Sequence, residues 1–225
     1  MNAKRIVIVT AGVSEQSSTT MLAQRIGREV VSALEEGPTG INVDVSLIEL
    51  RALAGELGNA MGTGMVGEDL RGALDLVAQA DGLIAATPVY KASYSGMFKA
   101  FFDFLDEDAI LSTPTILAAT AGTPRHALVP DTQMRPLFTF LRALAVPTSV
   151  FAAGEDWSTS SLTKRAARAA QEMVPLIHSD VRARTREAAG QAYDRTYAVG
   201  PGAPEDPTNG LDFDSDLMKL AAGGS

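Results

Sequence analysis

Cysteine is absent from this sequence, and with it go disulfides, thiolate metal sites, iron–sulfur clusters and cysteine nucleophiles. Histidine is scarce: His126 and His178 stand far apart with no cysteine beside either, so no zinc-site pattern is present. No apolar run approaches the roughly 20 residues of a membrane-spanning helix. Residues 6–9 are too short for the core of a signal peptide, and no small-residue cleavage site follows. The expected compartment is cytoplasmic, with no membrane partner. Positive charge is also in deficit, 19 Lys and Arg against 27 Asp and Glu, for a net charge of −8. Nucleic acid is an unexpected partner, because a phosphate backbone needs a basic surface. A small nucleotide is not excluded, since local backbone dipoles can hold one phosphate against the global field.

What remains is a chain of 225 residues, 46% hydrophobic, enough for one domain with a packed core. Short β-branched runs alternate with longer helical stretches, the pattern of a parallel α/β sheet. Residues 5–10 (RIVIVT), 82–87 (GLIAAT) and 114–120 (PTILAAT) read as strands covered on both faces. Residues 41–47 alternate, which predicts a strand with Ile41, Val43, Val45 and Leu47 turned inward. Residues 147–152 supply a fifth strand. Helices are expected over 19–36, 68–80, 96–106, 131–145 and 160–187, the last kinked or broken at Pro175. Residues 51–67, rich in Gly and Ala, read as a mobile segment. The fold class is therefore α/β, a doubly wound five-stranded parallel sheet of flavodoxin-like order 2-1-3-4-5 with helices on both faces. The Rossmann order stays open at this level. The domain spans 1–190. Beyond it, 191–225 reads as a Gly/Pro/acidic tail: from 201 onward five carboxylates face a single lysine.

In such a sheet, ligands sit beyond the carboxyl ends of the strands, where strand order reverses. Three loops qualify. Residues 11–19 (AGVSEQSST) lead from a buried strand into a helix and carry no bulky side chain, so the helix N-terminus can hold a phosphate dianion. Ser14, Ser17 and Thr19 add hydroxyl donors, although Ser17 or Ser18 can equally serve as the helix cap. Neither GxxxxGK[ST] nor a dinucleotide GxGxxG occurs there. Residues 87–105 (TPVYKASYSGMFKAFFDFL) end a strand in Thr-Pro and open an aromatic-rich helix. Pro88 fixes the backbone so that groups of Val89, Tyr90 and Lys91 can face a planar ligand. Phe98, Phe101, Phe102 and Phe104 are expected in core or subunit packing. Residues 120–128 (TAGTPRHAL) place Thr120, Gly122, Thr123, Arg125 and His126 after the fourth strand. The formal GxGxxG of Gly62, Gly64 and Gly67 follows no strand and reads as a flexible loop, a candidate lid.

The second loop resembles the signature of the NADPH-dependent FMN reductase family, in which a strand ends T-P-x-Y and S-x-x-G-x-x-K-x-x-x-D follows on a helix. Thr87, Pro88 and Tyr90 match the first part; Ser93, Gly96, Lys99 and Asp103 match the second. In the first loop, Ser17, Thr19 and Leu22 match S-x-[NT]-x-x-L. The resemblance covers about residues 4–152. One departure stands out: Gly12, Val13, Ser14 and Glu15 replace the family's G-S-x-R, so the arginine that often supports the phosphate is missing. FMN as resident cofactor and FMN as exchanged substrate both remain compatible with that loop.

The resemblance implies FMN as cofactor and NADPH or NADH as hydride donor. Ser14, Ser17 and Thr19 would take the phosphate, Pro88 to Lys91 the ring or ribityl chain, and Thr120 to Thr123 the other side of the ring. Lys91, Arg125 and His126 are candidates for the nicotinamide nucleotide's phosphates. No catalytic acid or nucleophile is required, because the flavin carries the chemistry. The resemblance also implies a homodimer or homotetramer, and the closest-looking branch supplies reduced FMN to luciferase-like, flavin-dependent monooxygenases. A quinone or azo reductase of the same fold, and a non-enzymatic flavodoxin-type carrier, are the alternatives. If Ser17 donates to the phosphate, Ser17→Ala weakens FMN binding by about 1 kcal/mol, the worth of one neutral hydrogen bond. Flavin-fluorescence titration reads this directly, and an unchanged affinity would place the phosphate elsewhere.

Overall fold

The computed structural model describes residues 3–37 and 40–189. The expected tail, 191–225, lies outside the described residues. In chain order the strands are β1 (Lys4–Thr10), β2 (Val43–Glu49), β3 (Gly82–Tyr90), β4 (Ser93–Tyr94), β5 (Pro114–Thr120), β6 (Leu144–Ala145) and β7 (Val150–Ala152). The α-helices are α1 (Ser18–Glu35), α2 (Ala54–Thr63), α3 (Glu68–Ala78), α4 (Gly96–Asp103), α5 (Arg135–Phe140), α6 (Ser160–His178) and α7 (Val181–Ala189).

The sheet runs β2-β1-β3-β5-β6, with β7 on the same neighbour as β6 and β4 folded back on β3. All pairings except β3–β4 are parallel. β6 and β7 share the fifth position: β6 pairs with Pro114 and Thr115, β7 with Ala118 to Thr120. With those two taken as one interrupted strand, the order is the expected doubly wound 2-1-3-4-5. The interruption falls at residues 147–148: Leu144 and Val146 give their N–H groups to Thr113, just before β5, and Thr115 within it, and Thr148 is the next donor in line. Thr148 then turns its N–H to the Glu172 carboxylate at 2.7 Å.

Period-two alternation splits the core into two layers. Val7, Val9, Leu83, Ala85 and Leu117 face α2 to α5, where Phe98, Phe101, Phe102 and Phe138 are fully buried. Ile6, Ile8, Ile84, Ala86 and Ile116 face α1 and α6. The aromatic helix is thus core: Phe102 packs edge-on to Phe101 and Phe138, with centroids 5.3 and 4.9 Å away.

Several expectations need correction. Val45 and Leu47 are exposed and Ile48 is buried, because β2 is an edge strand and α1 lies over β1 and β3 instead. Residues 51–67 are ordered rather than mobile: a 3-10 turn (Leu50–Leu53) leads into α2, which buries Leu57 and Ala60. Tertiary packing overrides the poor helix propensity of its glycines. In the GTGMVG segment, Gly62 and Thr63 end α2 and residues 64–67 connect it to α3. Gly64 is the left-handed cap of α2 at φ 75°, and Gly67 precedes α3. A Cβ at Gly67 would displace the Glu56 carboxylate, which bonds to the Leu70 N–H at 2.8 Å. The helix expected over 131–145 is a π turn (Pro130–Met134) followed by the short α5. Finally, α6 continues through Pro175 and breaks only at Asp180, whose φ is 50°.

Beyond that break, α7 is clasped to the amino-terminal end of the sheet. Arg182 donates to the carbonyls of Ala80 (2.8 Å), Ala109 (3.2 Å) and Ala78, and Arg186 to those of Asp108 (2.9 Å) and Ala109 (2.8 Å). Burial, then the neighbouring Arg186, pulls the Arg182 guanidinium down to about 10. Arg182→Ala removes the clasp's donor from the carbonyls of Ala78 and Ala80, while Ala109 keeps Arg186, and is expected to cost about 2 kcal/mol of stability. Urea unfolding measures this, and an unchanged midpoint would mean that the clasp contributes nothing.

Candidate functional site

Three neighbouring strands carry a threonine at or next to the end of their parallel pairing: Thr10 on β1, Thr87 on β3 and Thr120 on β5. The register places those ends side by side, Thr10 opposite Ala86 and Pro88 opposite Thr120. Each threonine is buried, and each hydroxyl bonds to the start of a helix. Thr10 Oγ1 lies 3.2 Å from Thr20 Oγ1 in the first turn of α1. Thr87 Oγ1 accepts from the N–H of Ser95, the cap of α4, at 3.0 Å. Thr120 Oγ1 lies 2.7 Å from Thr19 Oγ1. Two helix N-termini are thereby fixed to the carboxyl edge of the sheet, where strand order reverses.

At the first of these, Ser17 caps α1 by accepting from the Thr20 N–H at 3.2 Å. Ser17 packs on Gly12, where a Cβ would stand 1.8 Å from Ser17 Oγ. That close approach requires glycine. The first turn of α1 carries no acidic residue, and its leading N–H groups, Ser18 and Thr19, have no carbonyl partner within the helix. Positive dipole, free N–H donors and the exposed hydroxyls of Ser14 and Ser18 together suit a phosphate dianion.

The second loop is a hairpin, which corrects the expectation that the strand stops at Pro88. Val89 pairs with Tyr94 and Tyr90 with Ser93, leaving Lys91 and Ala92 as a two-residue turn. Both have positive φ, 49° and 66°, the conformation of a type I′ turn, here without glycine. Each costs roughly 1–2 kcal/mol, strain that persists where the surroundings over-determine it. The turn presents Lys91 and a half-exposed Tyr90 to solvent.

In the third loop, Ala121 N–H is held by Ala152 O at 3.1 Å, and Thr123 opens a 3-10 turn (Pro124–His126). Gly122 is exposed, with nothing within 4 Å of where a Cβ would stand. That space lets a flat ligand lie against the backbone. Arg125 is exposed and His126 half-buried. A hollow of about 240 Å³ adjoins this loop, lined in part by Pro124, Ala127, Phe151, Glu155 and Arg165. The larger hollow, about 490 Å³, lies among Met65, Leu74 and Phe104 on the helical face and away from these strand ends.

The structure brings all twelve expected residues to one edge, but in two kinds. Ser14, Tyr90, Lys91, Gly122, Thr123 and Arg125 are open to a ligand, and Pro88, Val89 and His126 partly so. Ser17, Thr19 and Thr120 are buried, with hydroxyls engaged inside the protein. Thr10, Gly12, Thr87 and Ser95 were missed. The signal was visible: VIVT, IAAT and LAAT each close an apolar run with a threonine, and Thr87 belongs to the T-P-x-Y signature itself.

A doubly wound parallel sheet with a hydroxyl-lined helix N-terminus at its switch point defines a flavodoxin-like nucleotide-binding protein. The model of the NADPH-dependent FMN reductase family matches residues 4–158. An NADH-dependent FMN reductase of Pseudomonas putida, SfnE, is 40% identical over 177 residues, 76% of this chain and 91% of that one. An FMN reductase (NADPH) of Pseudomonas aeruginosa is 37% identical over 178 residues, 77% and 92% of the two chains. The crystal structure of an oxidoreductase from Corynebacterium diphtheriae superposes with TM-score 0.76 at 43% identity, covering 80% of this chain and 99% of that one. The chain belongs to the NADPH-dependent FMN reductase family.

Gly12→Ala forces a methyl group into Ser17 and the cap of α1. Its expected cost is about 1–3 kcal/mol of stability, as for overpacking elsewhere, together with loss of flavin binding. Thermal melting and flavin titration test both; a normal melt with normal titration would show that the loop tolerates displacement.

Proposed function

We propose that this chain is an NAD(P)H-dependent FMN reductase that holds its flavin mainly through backbone groups. The observation that carries this reading is the pair of N–H donors left over at the start of α1, Ser18 and Thr19, tied by threonine hydroxyls to the loop that would flank the ring. When bound, FMN supplies the hydride chemistry, accepting at N5 from the nicotinamide C4. The N–H groups of Ser18 and Thr19, with Ser14, bind the phosphate. The Ser17 hydroxyl, engaged as the cap, sets the geometry of that turn. Residues 88–91 and 121–123 bound the ring on its two sides, and Gly122 leaves the room it needs. Lys91 and Arg125 are the cations placed to meet a nicotinamide nucleotide's phosphates, with His126 beside them.

Apolar side chains cluster round the same edge: Val13 is 59% exposed, Tyr90 49% and Leu128 69%. Such exposure supports self-association, as homodimer or homotetramer, with a second copy covering the strand ends. A flavin-dependent monooxygenase is the consumer of reduced FMN in this reading. The relatives include both NADH- and NADPH-dependent reductases, so the assay must offer both donors.

Steady-state oxidation of NADH and NADPH, with and without free FMN, FAD or a quinone, tests the function. Turnover that saturates with FMN is expected. Fast turnover with quinone alone would make the protein a quinone reductase, and tight flavin without turnover would make it an electron carrier.

A further inference from the structure

Thr19 and Thr120 stand 101 residues apart in sequence, yet their hydroxyls meet at 2.7 Å with exposures of 2% and 5%. This is the short side-chain link between the helix start that would hold the phosphate and the strand end that leads into the ring-flanking loop. We infer that the Thr19–Thr120 bridge is a positioning device that fixes the distance between phosphate and ring subsites, so that FMN is favoured over riboflavin. The inference rests on the FMN reductase reading above.

The physical reason lies in how a two-ended ligand gains affinity. FMN engages both subsites at once only if their spacing is already right; the second contact then forms at high effective concentration. A loosened spacing reduces that advantage without weakening either contact by itself. Riboflavin, which has no phosphate, engages the ring subsite only and is indifferent to the spacing. The bridge is poised for this role because its neighbours are rigid. Thr20 is bonded to Thr10 on β1, Ser17 to the Thr20 N–H, and Ala121 to Ala152 on β7. The hydroxyl pair is a direct polar contact between the first turn of α1 and the end of β5, where the third loop begins. Neither hydroxyl needs to touch the flavin, and this separates the role from that of a binding residue.

Thr120→Val keeps the shape and removes the hydroxyl; Thr120→Ser keeps the hydroxyl. Affinities for FMN and for riboflavin are measured by fluorescence titration of the full chain. For Thr120→Val, FMN affinity is expected to fall about tenfold while riboflavin affinity stays within about twofold. The KM for FMN rises with it and kcat holds, because the hydride-transferring groups are untouched. Thr120→Ser restores wild-type values. Thr19→Val reproduces the FMN defect, and the double variant is no worse than either single one, as one shared interaction requires. A general loss of stability would weaken both ligands by the same factor, and that result overturns the inference. So does an unchanged FMN affinity, or failure of Thr120→Ser to recover it. Failure of the wild-type chain to bind FMN is a distinct result: it removes the reductase reading itself and the inference with it.

Discussion

The hydroxyl belt at the carboxyl edge of the sheet is the constraint on which the rest of the site depends. A parallel sheet brings its strand ends together but does not fix the helices that follow. Here Thr10, Thr87 and Thr120 do so, each spending a buried hydroxyl on the first turn or the cap of a helix. A buried hydroxyl must be satisfied or it destabilises the fold. The same bonds that satisfy these threonines therefore orient α1 and α4, and they turn the N-terminus of α1 toward the strand ends where the proposed phosphate site lies. Structure and function draw on one set of contacts.

Glycine and strain appear where that arrangement demands them. Gly12 is required because Ser17 occupies the space of a side chain. Gly122 has free φ choice and open surroundings, so its value lies in what it leaves empty. The Lys91–Ala92 turn takes the opposite course, two left-handed residues without glycine. Val89–Tyr94 and Tyr90–Ser93 pairing holds it, and the strain is offset by the buried strand from which the hairpin extends. The missing arginine of the first loop fits the proposed scheme, in which the phosphate would be held by backbone donors and preorganisation rather than by a side-chain cation.

The acidic surface is compatible with an anionic ligand for the same reason. Backbone N–H groups act within a few ångströms, whereas a net charge of −8 spread over the chain is screened by salt within about a Debye length. Lys91 and Arg125 stand on the two loops that flank the ring position and supply local positive charge.

By itself the sequence determined the parallel α/β sheet and the family, because buried strands leave continuous apolar runs and the T-P-x-Y signature is local. The choice of the flavodoxin-like order over the Rossmann one came from the strand pairing. The sequence misjudged whatever depended on a neighbour. Val45 and Leu47 alternate like inward residues, yet they face solvent because α1 lies mainly over β1 and β3 and leaves that part of the edge strand open. Residues 51–67 look loose, but Leu57 and Ala60 find the core and Glu56 secures the next helix. The fifth strand was legible as an apolar run, while its division at residues 147–148 became evident only from the pairing with β5. Thr19 and Thr120 look like ligand donors in sequence because hydroxyls in loops usually are. Only the tertiary structure decided that they bond to each other, since a contact across 101 residues is set by how the sheet stacks its strand ends and by no local pattern.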